Sequence, residues 1–144
     1  MDTQHKRKIL LAEDDSDDAF FFFDFLHNRS DVDLLPSVTD GVEVIEYLNA
    51  TSSAGDLPDV IVLDQNMPRL TGKETLDHIK SSEKYGNIAV AIYSTYVGPQ
   101  LIEECLQLGA VIVETKPVTK EGYNKMMDAI LEKAVEGRKG ENGG

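Results

Sequence analysis

Carboxylate, hydroxyl and ammonium side chains stand at the ends of the apolar segments that predict β-strands in this sequence. In chain order, these residues are Glu13, Asp14, Asp15, Asp64, Ser94, Thr95 and Lys116. In an open sheet of parallel strands, ligands bind at the carboxyl ends of the strands, near the point where the strand order reverses. We therefore expect these side chains to share one edge of a sheet.

Packed carboxylates are the first chemical feature of this predicted site. Each raises the pKa of its neighbours unless a cation neutralises them. A donor set made only of oxygen atoms favours Mg²⁺, which typically binds one or two carboxylates together with phosphate oxygens. Calcium would need more ligands and a dedicated loop of the DxDxDG type, which the sequence lacks. Zinc would need histidine or cysteine, and His5, His27 and His78 lie far from the predicted strand ends.

Each of these side chains, taken alone, also fits a purely structural role. An acidic pair such as Glu13 and Asp14 often complements the dipole of a following helix, and Asp64 could begin a turn. A Ser-Thr pair after a strand is common, and Lys116 before a proline is typical of a surface. Because the residues occur together and in this order, a shared site is the better interpretation.

The elements that must position these residues are five short apolar segments that alternate with amphipathic ones. The predicted strands cover residues 8–12, 34–38, 60–64, 89–93 and 111–115. The predicted helices cover residues 16–28, 41–49, 72–81, 98–108 and 119–135. This alternation predicts an α/β fold with a parallel sheet, right-handed crossovers and helices on both faces of the sheet.

The first predicted helix contains four consecutive phenylalanines. Helical spacing predicts a buried face of Phe20, Phe23 and Leu26, with Ser16 or Asp17 as the N-cap. The phenylalanine run is wider than one helix face needs. Two interpretations follow: an unusually apolar buried helix, or one or two rings that form a docking or dimer surface.

Length and charge limit the possible classes of protein. The chain has 144 residues, with 14 Lys and Arg against 26 Asp and Glu, giving a formal net charge of −12. That length predicts one domain, and the charge disfavours nucleic acid and anionic membranes as partners. No apolar run is long enough for a membrane span or a signal peptide. The lone cysteine, Cys105, suits a reducing compartment, so we expect a cytoplasmic protein.

Composition also predicts where the domain begins and ends. We expect an N-terminal tail over residues 1–7, one domain over residues 8–136 and a disordered polar tail over residues 137–144. Residues 50–59 are small and polar and include glycine and proline, which predicts a surface loop.

Residues 8–135 resemble the receiver domains of two-component response regulators. The motifs that carry the resemblance are ILLAEDD, IVLDQNMPRLTG, AIYST, LGA and TKP. The D-x-N-M-P-x-x-x-G pattern is highly specific in this context, whereas each other motif is weak by itself. The resemblance implies a flavodoxin-like (βα)5 three-layer sandwich whose parallel sheet has the order 2-1-3-4-5.

The resemblance also implies roles for the acidic residues. Asp64 matches the aspartate that is phosphorylated, and Glu13 and Asp14 match the acidic pair that holds Mg²⁺ together with Asp64. The backbone carbonyl of Asn66 would be a further metal ligand. Asp15 falls one position after the pair and is expected to begin the first helix.

Two further residues match the part of the family's site that contacts the phosphoryl group. Ser94 matches the hydroxyl that hydrogen-bonds the phosphoryl group, and Lys116 matches the lysine that pairs with it. The family also implies a cis peptide bond between Lys116 and Pro117.

One position departs from the family pattern. The family usually has Tyr or Phe three residues before the lysine, where this chain has Val113. A β-branched side chain cannot make the same rotamer change, so we expect signalling to rely on the loop that contains Ser94, Thr95 and Tyr96. Tyr96 or Tyr93 could substitute for the missing ring, although Tyr93 fits the strand core equally well.

The implied function is that of a single-domain response regulator. It would receive a phosphoryl group from a sensor histidine kinase or a histidine phosphotransfer protein, and would signal by contact with a downstream protein target, without acting as a conventional enzyme. The D-x-N-M-P loop and residues 50–59 resemble stand-alone receivers that are paired with phytochrome-type kinases. A homodimer could form through residues 98–135, as the family often does.

Other functions remain as alternatives. The chain could be an interaction module that is never phosphorylated, or a relay intermediate without its own output. A flavodoxin-type electron carrier is disfavoured because the acidic loop after the first strand would repel a flavin phosphate. A haloacid-dehalogenase-type phosphatase would need an acidic residue where Asn66 stands.

Overall fold

Five strands and five α-helices alternate over the part of the chain that the structure describes. The computed structural model describes the backbone of residues 6–143 and the side chains of residues 6–134. The strands are β1 (Arg7–Ala12), β2 (Val32–Leu34), β3 (Val60–Asp64), β4 (Ala89–Ser94) and β5 (Ile112–Thr115). The helices are α1 (Ser16–Leu26), α2 (Gly41–Ala50), α3 (Gly72–Lys80), α4 (Pro99–Leu108) and α5 (Lys120–Gly143).

The strands form a parallel sheet of order β2-β1-β3-β4-β5, which confirms the predicted fold class. All five residues of β3 are buried, because helices cover both faces of the central strand. One core cluster packs α1 and α5 against the sheet, and a second packs α2, α3 and α4 against the opposite face. The strand order reverses between β1 and β3, so the carboxyl ends of these two strands lie side by side.

The second strand is shorter and earlier than the predicted 34–38. Regular pairing with β1 covers Val32–Leu34. Leu35 still donates to the carbonyl of Ile9 at 2.9 Å, and Pro36 follows it. The chain then returns to β1 at Val38, whose N–H donates to the carbonyl of Leu11 at 2.9 Å.

The predictions for α1 are partly wrong. The position of Asp15 at the start of the helix and the burial of Leu26 are confirmed, whereas the predicted N-cap and the burial of Phe20 are wrong. The N-cap is Asp15, whose side chain accepts a hydrogen bond from the N–H of Asp18 at 3.0 Å, and not Ser16 or Asp17. Phe22 and Leu26, four residues apart, form the buried face. Phe20 therefore points away from the sheet and is 61% exposed, although helical spacing had predicted it to be buried. The neighbouring ring of Phe21 is also exposed.

The ends and loops of the chain bear on the predicted domain limits. Of the predicted tail 1–7, residues 1–5 lie outside the described residues, and β1 begins at Arg7. The backbone of α5 continues as a helix to Gly143, beyond the predicted limit at residue 136, and the division of the chain stays a prediction. The loop after α2 contains a short 3-10 helix, Ala54–Asp56. Within the described residues, no helix has the length and apolar character that a membrane crossing requires.

Candidate functional site

Three carboxylates meet at the carboxyl ends of β1 and β3. Glu13 and Asp14 directly follow β1, and Asp64 is the last residue of β3. One oxygen from each of the three side chains lies within 4.8 Å of the other two. The Glu13 side chain is fully buried and the Asp64 side chain is 4% exposed, whereas Asp14 faces solvent. Two largely buried carboxylates and an open third position form a site accessible from one side.

Glu13 is held by donors on both of its oxygens. The hydroxyl of Tyr93 donates to Glu13 Oε1 at 2.6 Å, and the backbone N–H of Asp15 donates to Oε2 at 3.2 Å. The pKa of Glu13 is raised to about 7, chiefly by burial; the hydrogen bond from Tyr93 opposes this shift and the nearby charge of Asp64 adds to it. A bound cation would neutralise the repulsion between these buried carboxylates. The oxygen donor set therefore fits a hard divalent metal ion such as Mg²⁺.

Lys116 supplies a positive charge from the end of β5. Its Nζ lies 2.8 Å from Asp18 Oδ2, 3.0 Å from Glu13 Oε1 and 3.5 Å from Asp64 Oδ2. Burial disfavours the charged ammonium, but the hydrogen bonds to Asp18 and Glu13 outweigh that effect and raise the pKa of Lys116. The ammonium stays protonated at neutral pH and faces the carboxylate cluster.

The Lys116–Pro117 peptide bond is trans, so the predicted cis bond is wrong for this structure. That expectation came from the family resemblance alone. The trans form is also the lower-energy form for most X-Pro bonds.

Ser94 completes the site from the end of β4. Its side chain is fully buried, and its Oγ lies 3.4 Å from the side-chain nitrogen of Asn66, which donates to it. The backbone N–H of Asn66 donates to Asp64 Oδ1 at 3.2 Å, so the loop after β3 folds back over the Asp64 carboxylate. The Asp64 carboxylate thus has the Lys116 ammonium beside it, and Asn66 links its loop to the Ser94 hydroxyl.

The remaining predicted switch residues lie outside this cluster. Thr95 is exposed, and Tyr96 is 77% exposed. Val113 pairs with Ile92 in the sheet and packs against the core on the α2–α4 side. The structure brings together the carboxylates, Ser94 and Lys116, but leaves Thr95, Tyr96 and Val113 at the periphery.

The geometry explains the spacing of the D-x-N-M-P-x-x-x-G motif. A Cβ atom at Gly72 would lie 2.7 Å from the carbonyl oxygen of Asp64 and 3.0 Å from the Cα of Gln65, so only glycine fits. The side chain of Gln65 accepts a hydrogen bond from the N–H of Lys73 at 2.8 Å. The start of α3 therefore packs directly beneath the Asp64 backbone.

A second contact holds the same loop from the other side. Arg69 has the left-handed backbone conformation, with φ of 69°, and its guanidinium donates to both oxygens of Asp40 at 2.8 and 3.1 Å. Asp40 is also the N-cap of α2, where it accepts from the N–H of Glu43 at 2.9 Å. The Arg69 guanidinium lowers the pKa of Asp40. Arg69 and Asp40 therefore tie the loop after β3 to the start of α2.

Three side chains of this arrangement were missed by the sequence analysis as parts of the site. Tyr93 and Asp18 contact the cluster directly, and Arg69 fixes its loop. Two signals were available in the sequence. Tyr93 is the last but one residue of a buried strand, and Asp18 is an extra carboxylate in the first turn of α1.

Comparisons with known proteins agree with this geometry. A family profile described as the response regulator receiver domain matches residues 9–130. A protein-glutamate methylesterase/protein-glutamine glutaminase of Bacillus licheniformis is 28% identical over 131 residues, which are 89% of this chain and 35% of that protein. The chain thus spans about a third of the length of the methylesterase relatives that it matches.

Two solved structures match over most of their length. The phosphorylated cyanobacterial phytochrome response regulator RcpA has a TM-score of 0.74 and 28% identity, covering 88% of this chain and 92% of that chain. The Mn²⁺-bound form of response regulator Rcp1 has a TM-score of 0.72 and 25% identity, covering 86% of this chain and 91% of that chain.

Proposed function

The chain belongs to the response regulator receiver domain family of two-component signalling, and from that premise we propose that Asp64 accepts a phosphoryl group from a phosphohistidine of a partner protein. The observation that carries this proposal is the position of the Asp64 carboxylate. It shares one cluster with Glu13 and Asp14, and its Oδ2 lies 3.5 Å from the ammonium of Lys116. Phosphoryl transfer depends chiefly on positioning and charge neutralisation, and these groups supply both.

We propose Mg²⁺ as the metal of this site. Glu13, Asp14 and Asp64 would hold it through carboxylate oxygens, and Asn66 would add its backbone carbonyl. When bound, the ion would offset negative charge on the transferring oxygens. The oxygen-only donor set supports this assignment, as does the similarity to Rcp1, whose structure holds Mn²⁺.

The transfer itself uses three side chains of this chain. A carboxylate oxygen of Asp64 attacks the phosphorus, a P–O bond forms and the P–N bond to the imidazole breaks. The bonding electron pair leaves with the imidazole nitrogen, which takes a proton from solvent. The ammonium of Lys116 offsets the charge on the phosphoryl oxygens, and the hydroxyl of Ser94 donates to one of them. Water later hydrolyses the acyl phosphate and restores Asp64.

The proposed output is a contact with another protein. The partners would be a sensor histidine kinase or a histidine phosphotransfer protein on the input side and a downstream protein target on the output side. The exposed side chains of Phe21 and Val118 line a groove together with Asp18, and an incoming partner would dock there. A homodimer through residues 98–135 and a cytoplasmic location belong to the same proposal.

Some activities of relatives are not proposed for this chain. The methylesterase activity named for the Bacillus relative belongs to a protein of which this chain matches 35%.

A phosphorelay intermediate remains the second candidate, because the same Asp64 chemistry would serve it. The two differ in whether the phosphoryl group is passed on to a further histidine.

The switch is proposed to lie in residues 94–98. Val113 is fixed in the sheet, whereas Thr95 and Tyr96 are exposed beside the buried Ser94. When Ser94 donates to a phosphoryl oxygen, the backbone that follows it must move. Amide spectra with and without fluoroberyllate, an analogue of the phosphoryl group, should shift over these residues. Unchanged amides there would exclude this loop as the switch.

Incubation with acetyl phosphate tests the proposed function. Intact mass should rise by one phosphoryl group in the presence of Mg²⁺ but not after chelation of the metal. Asp64→Asn should abolish the gain, whereas Asp77→Asn, an exposed carboxylate on α3, should leave it unchanged. Equal labelling of wild type and Asp64→Asn would contradict the proposal, and no labelling at all would favour an interaction module.

A further inference from the structure

The carboxylate of Asp18 contacts the site from the first turn of α1, and no step of the proposed function uses it. Its Oδ2 accepts a hydrogen bond from Lys116 Nζ at 2.8 Å. This is the shortest of the three carboxylate contacts of Lys116, since Glu13 lies at 3.0 Å and Asp64 at 3.5 Å. In this state, the ammonium is closer to α1 than to the proposed phosphoacceptor.

The donors of Lys116 are limited. An ammonium has three N–H groups, and Asp18 and Glu13 lie at hydrogen-bond distance from it. The ring of Tyr93 covers another side of the ammonium, with the ring centroid 5.1 Å from Lys116 Nζ. A phosphoryl group on Asp64 would require one or more of the same donors, because Lys116 is the cation that faces Asp64 within the described site.

Burial decides which of the two partners can release the ammonium. The Glu13 side chain is fully buried, so its separation from Lys116 would leave a carboxylate without water. The Asp18 side chain is 31% exposed, so water can replace the lysine at little cost. Asp18 is therefore the partner that can give up Lys116.

We propose that Asp18 competes with the phosphoryl group on Asp64 for the ammonium of Lys116, and so destabilises the phosphorylated state relative to the resting state. Asp18 acts here as a positioning residue, through Lys116, and makes no contact with the phosphoryl group itself. The inference rests on the proposed function of Asp64. It links formation of the acyl phosphate to release of a contact between α1 and the end of β5.

A purely structural role for Asp18 makes a different prediction. If the ion pair served only to attach α1 to the end of β5, its removal would lower the free energy of unfolding and leave the affinity of the site unchanged. Competition instead predicts a tighter site. The two roles are separated by measuring binding at the site and stability in the same variants.

The test compares Asp18→Asn with Asp17→Asn, which removes the same charge from the adjacent exposed position. Fluoroberyllate with Mg²⁺ is the probe, and its dissociation constant is measured by titration. Asp18→Asn should bind roughly threefold to tenfold more tightly than wild type, as expected when a charge-assisted hydrogen bond no longer competes. Asp17→Asn should stay within about twofold, since it alters only the screened field of the helix.

A measurement on the wild-type protein gives an independent readout. The carboxyl ¹³C resonance of Asp18 should shift when fluoroberyllate binds, because Asp18 then loses its lysine, while that of Asp17 should shift less. An Asp18→Asn affinity equal to or weaker than that of Asp17→Asn, or an unmoved Asp18 resonance, would overturn the competition. Failure of wild type to bind fluoroberyllate would instead overturn the proposed function, and the role of Asp18 with it.

Discussion

At the scale of single residues, the hydroxyl of Tyr93 fixes the orientation of a proposed metal ligand. It donates to Glu13 at 2.6 Å from a side chain that is itself fully buried. Burial and the charge of Glu13 both raise the pKa of Tyr93, so the phenol stays protonated and remains a donor. Groups that orient metal ligands in this way commonly affect metal affinity strongly.

Tyr93→Phe should therefore weaken Mg²⁺ binding while keeping the core packed. Without the donor, the pKa of Glu13 would rise above about 7, and more of the carboxyl would be protonated at neutral pH. We expect a loss of affinity of roughly tenfold, measured by Mg²⁺ titration of amide resonances. Tyr123→Phe is the matched control, because Tyr123 is buried in the same core cluster. Equal Mg²⁺ affinities in the two variants would contradict a ligand-orienting role for Tyr93.

The site residues differ in how far the sequence could predict them. Asp64 lies in a specific local motif and Lys116 in a weak one, but both stand at strand ends, so the topology of a parallel sheet predicts that they share one edge. Tyr93 reaches Glu13 only because β4 pairs with β3 in the register Asp64↔Tyr93, which no local pattern reveals. Asp18 depends on the rotation of α1 about its own axis, which the sequence analysis placed incorrectly.

At the scale of elements, the loop after β3 is held between α2 and α3. Arg69 and Asp40 join the loop to the start of α2, and the close approach of Gly72 joins it to α3. The motif alone predicted the loop but not its anchor, because Asp40 lies 29 residues earlier in the chain. Periodicity and turn preference are local patterns, so they do not predict long-range contacts of this kind.

Two substitutions at Asp40 should separate its capping role from its charge. Asp40→Ala loses the N-cap of α2 and should lower the free energy of unfolding by about 1 kcal/mol. Asp40→Asn keeps an oxygen for the N–H of Glu43 and should cost less. Urea unfolding of the three proteins at neutral pH measures both effects. An Asp40→Asn variant as unstable as Asp40→Ala would show that the charge on Asp40 outweighs its cap.

The ion pair of Arg69 and Asp40 should also make the free energy of unfolding depend on pH, in a defined direction. The Arg69 guanidinium lowers the folded-state pKa of Asp40 below its ordinary value of 3.8. The stabilisation is fully present above pH 3.8 and is lost as the pH falls through the lowered pKa. The stability difference between wild type and Asp40→Asn should therefore shrink on acidification. A difference that stayed constant across this range would exclude a contribution from the charge of Asp40.

At the scale of the whole molecule, the net charge of −12 separates into two parts. Glu13, Asp14 and Asp64 form one cluster at the edge of the sheet, whereas most of the other acidic side chains that the structure describes lie on helices and loops. The class of the fold follows from the alternation of strands and helices, whereas the strand order was predicted from the resemblance to receiver domains. The boundaries of β2 and the buried face of α1 could not be predicted from the sequence, because they depend on the register of β2 against β1 and on the packing of Phe22 in the core.

We propose above all that Asp64 is the phosphorylated residue, and the position of the phosphoryl group can be measured directly. After treatment with acetyl phosphate and Mg²⁺, borohydride reduces an aspartyl phosphate to homoserine, and peptide mass spectrometry finds the converted residue. We predict homoserine at position 64 alone, dependent on Mg²⁺ and reduced in yield by Lys116→Ala. Homoserine at another aspartate, or conversion at position 64 that needs neither the metal nor Lys116, would contradict the account.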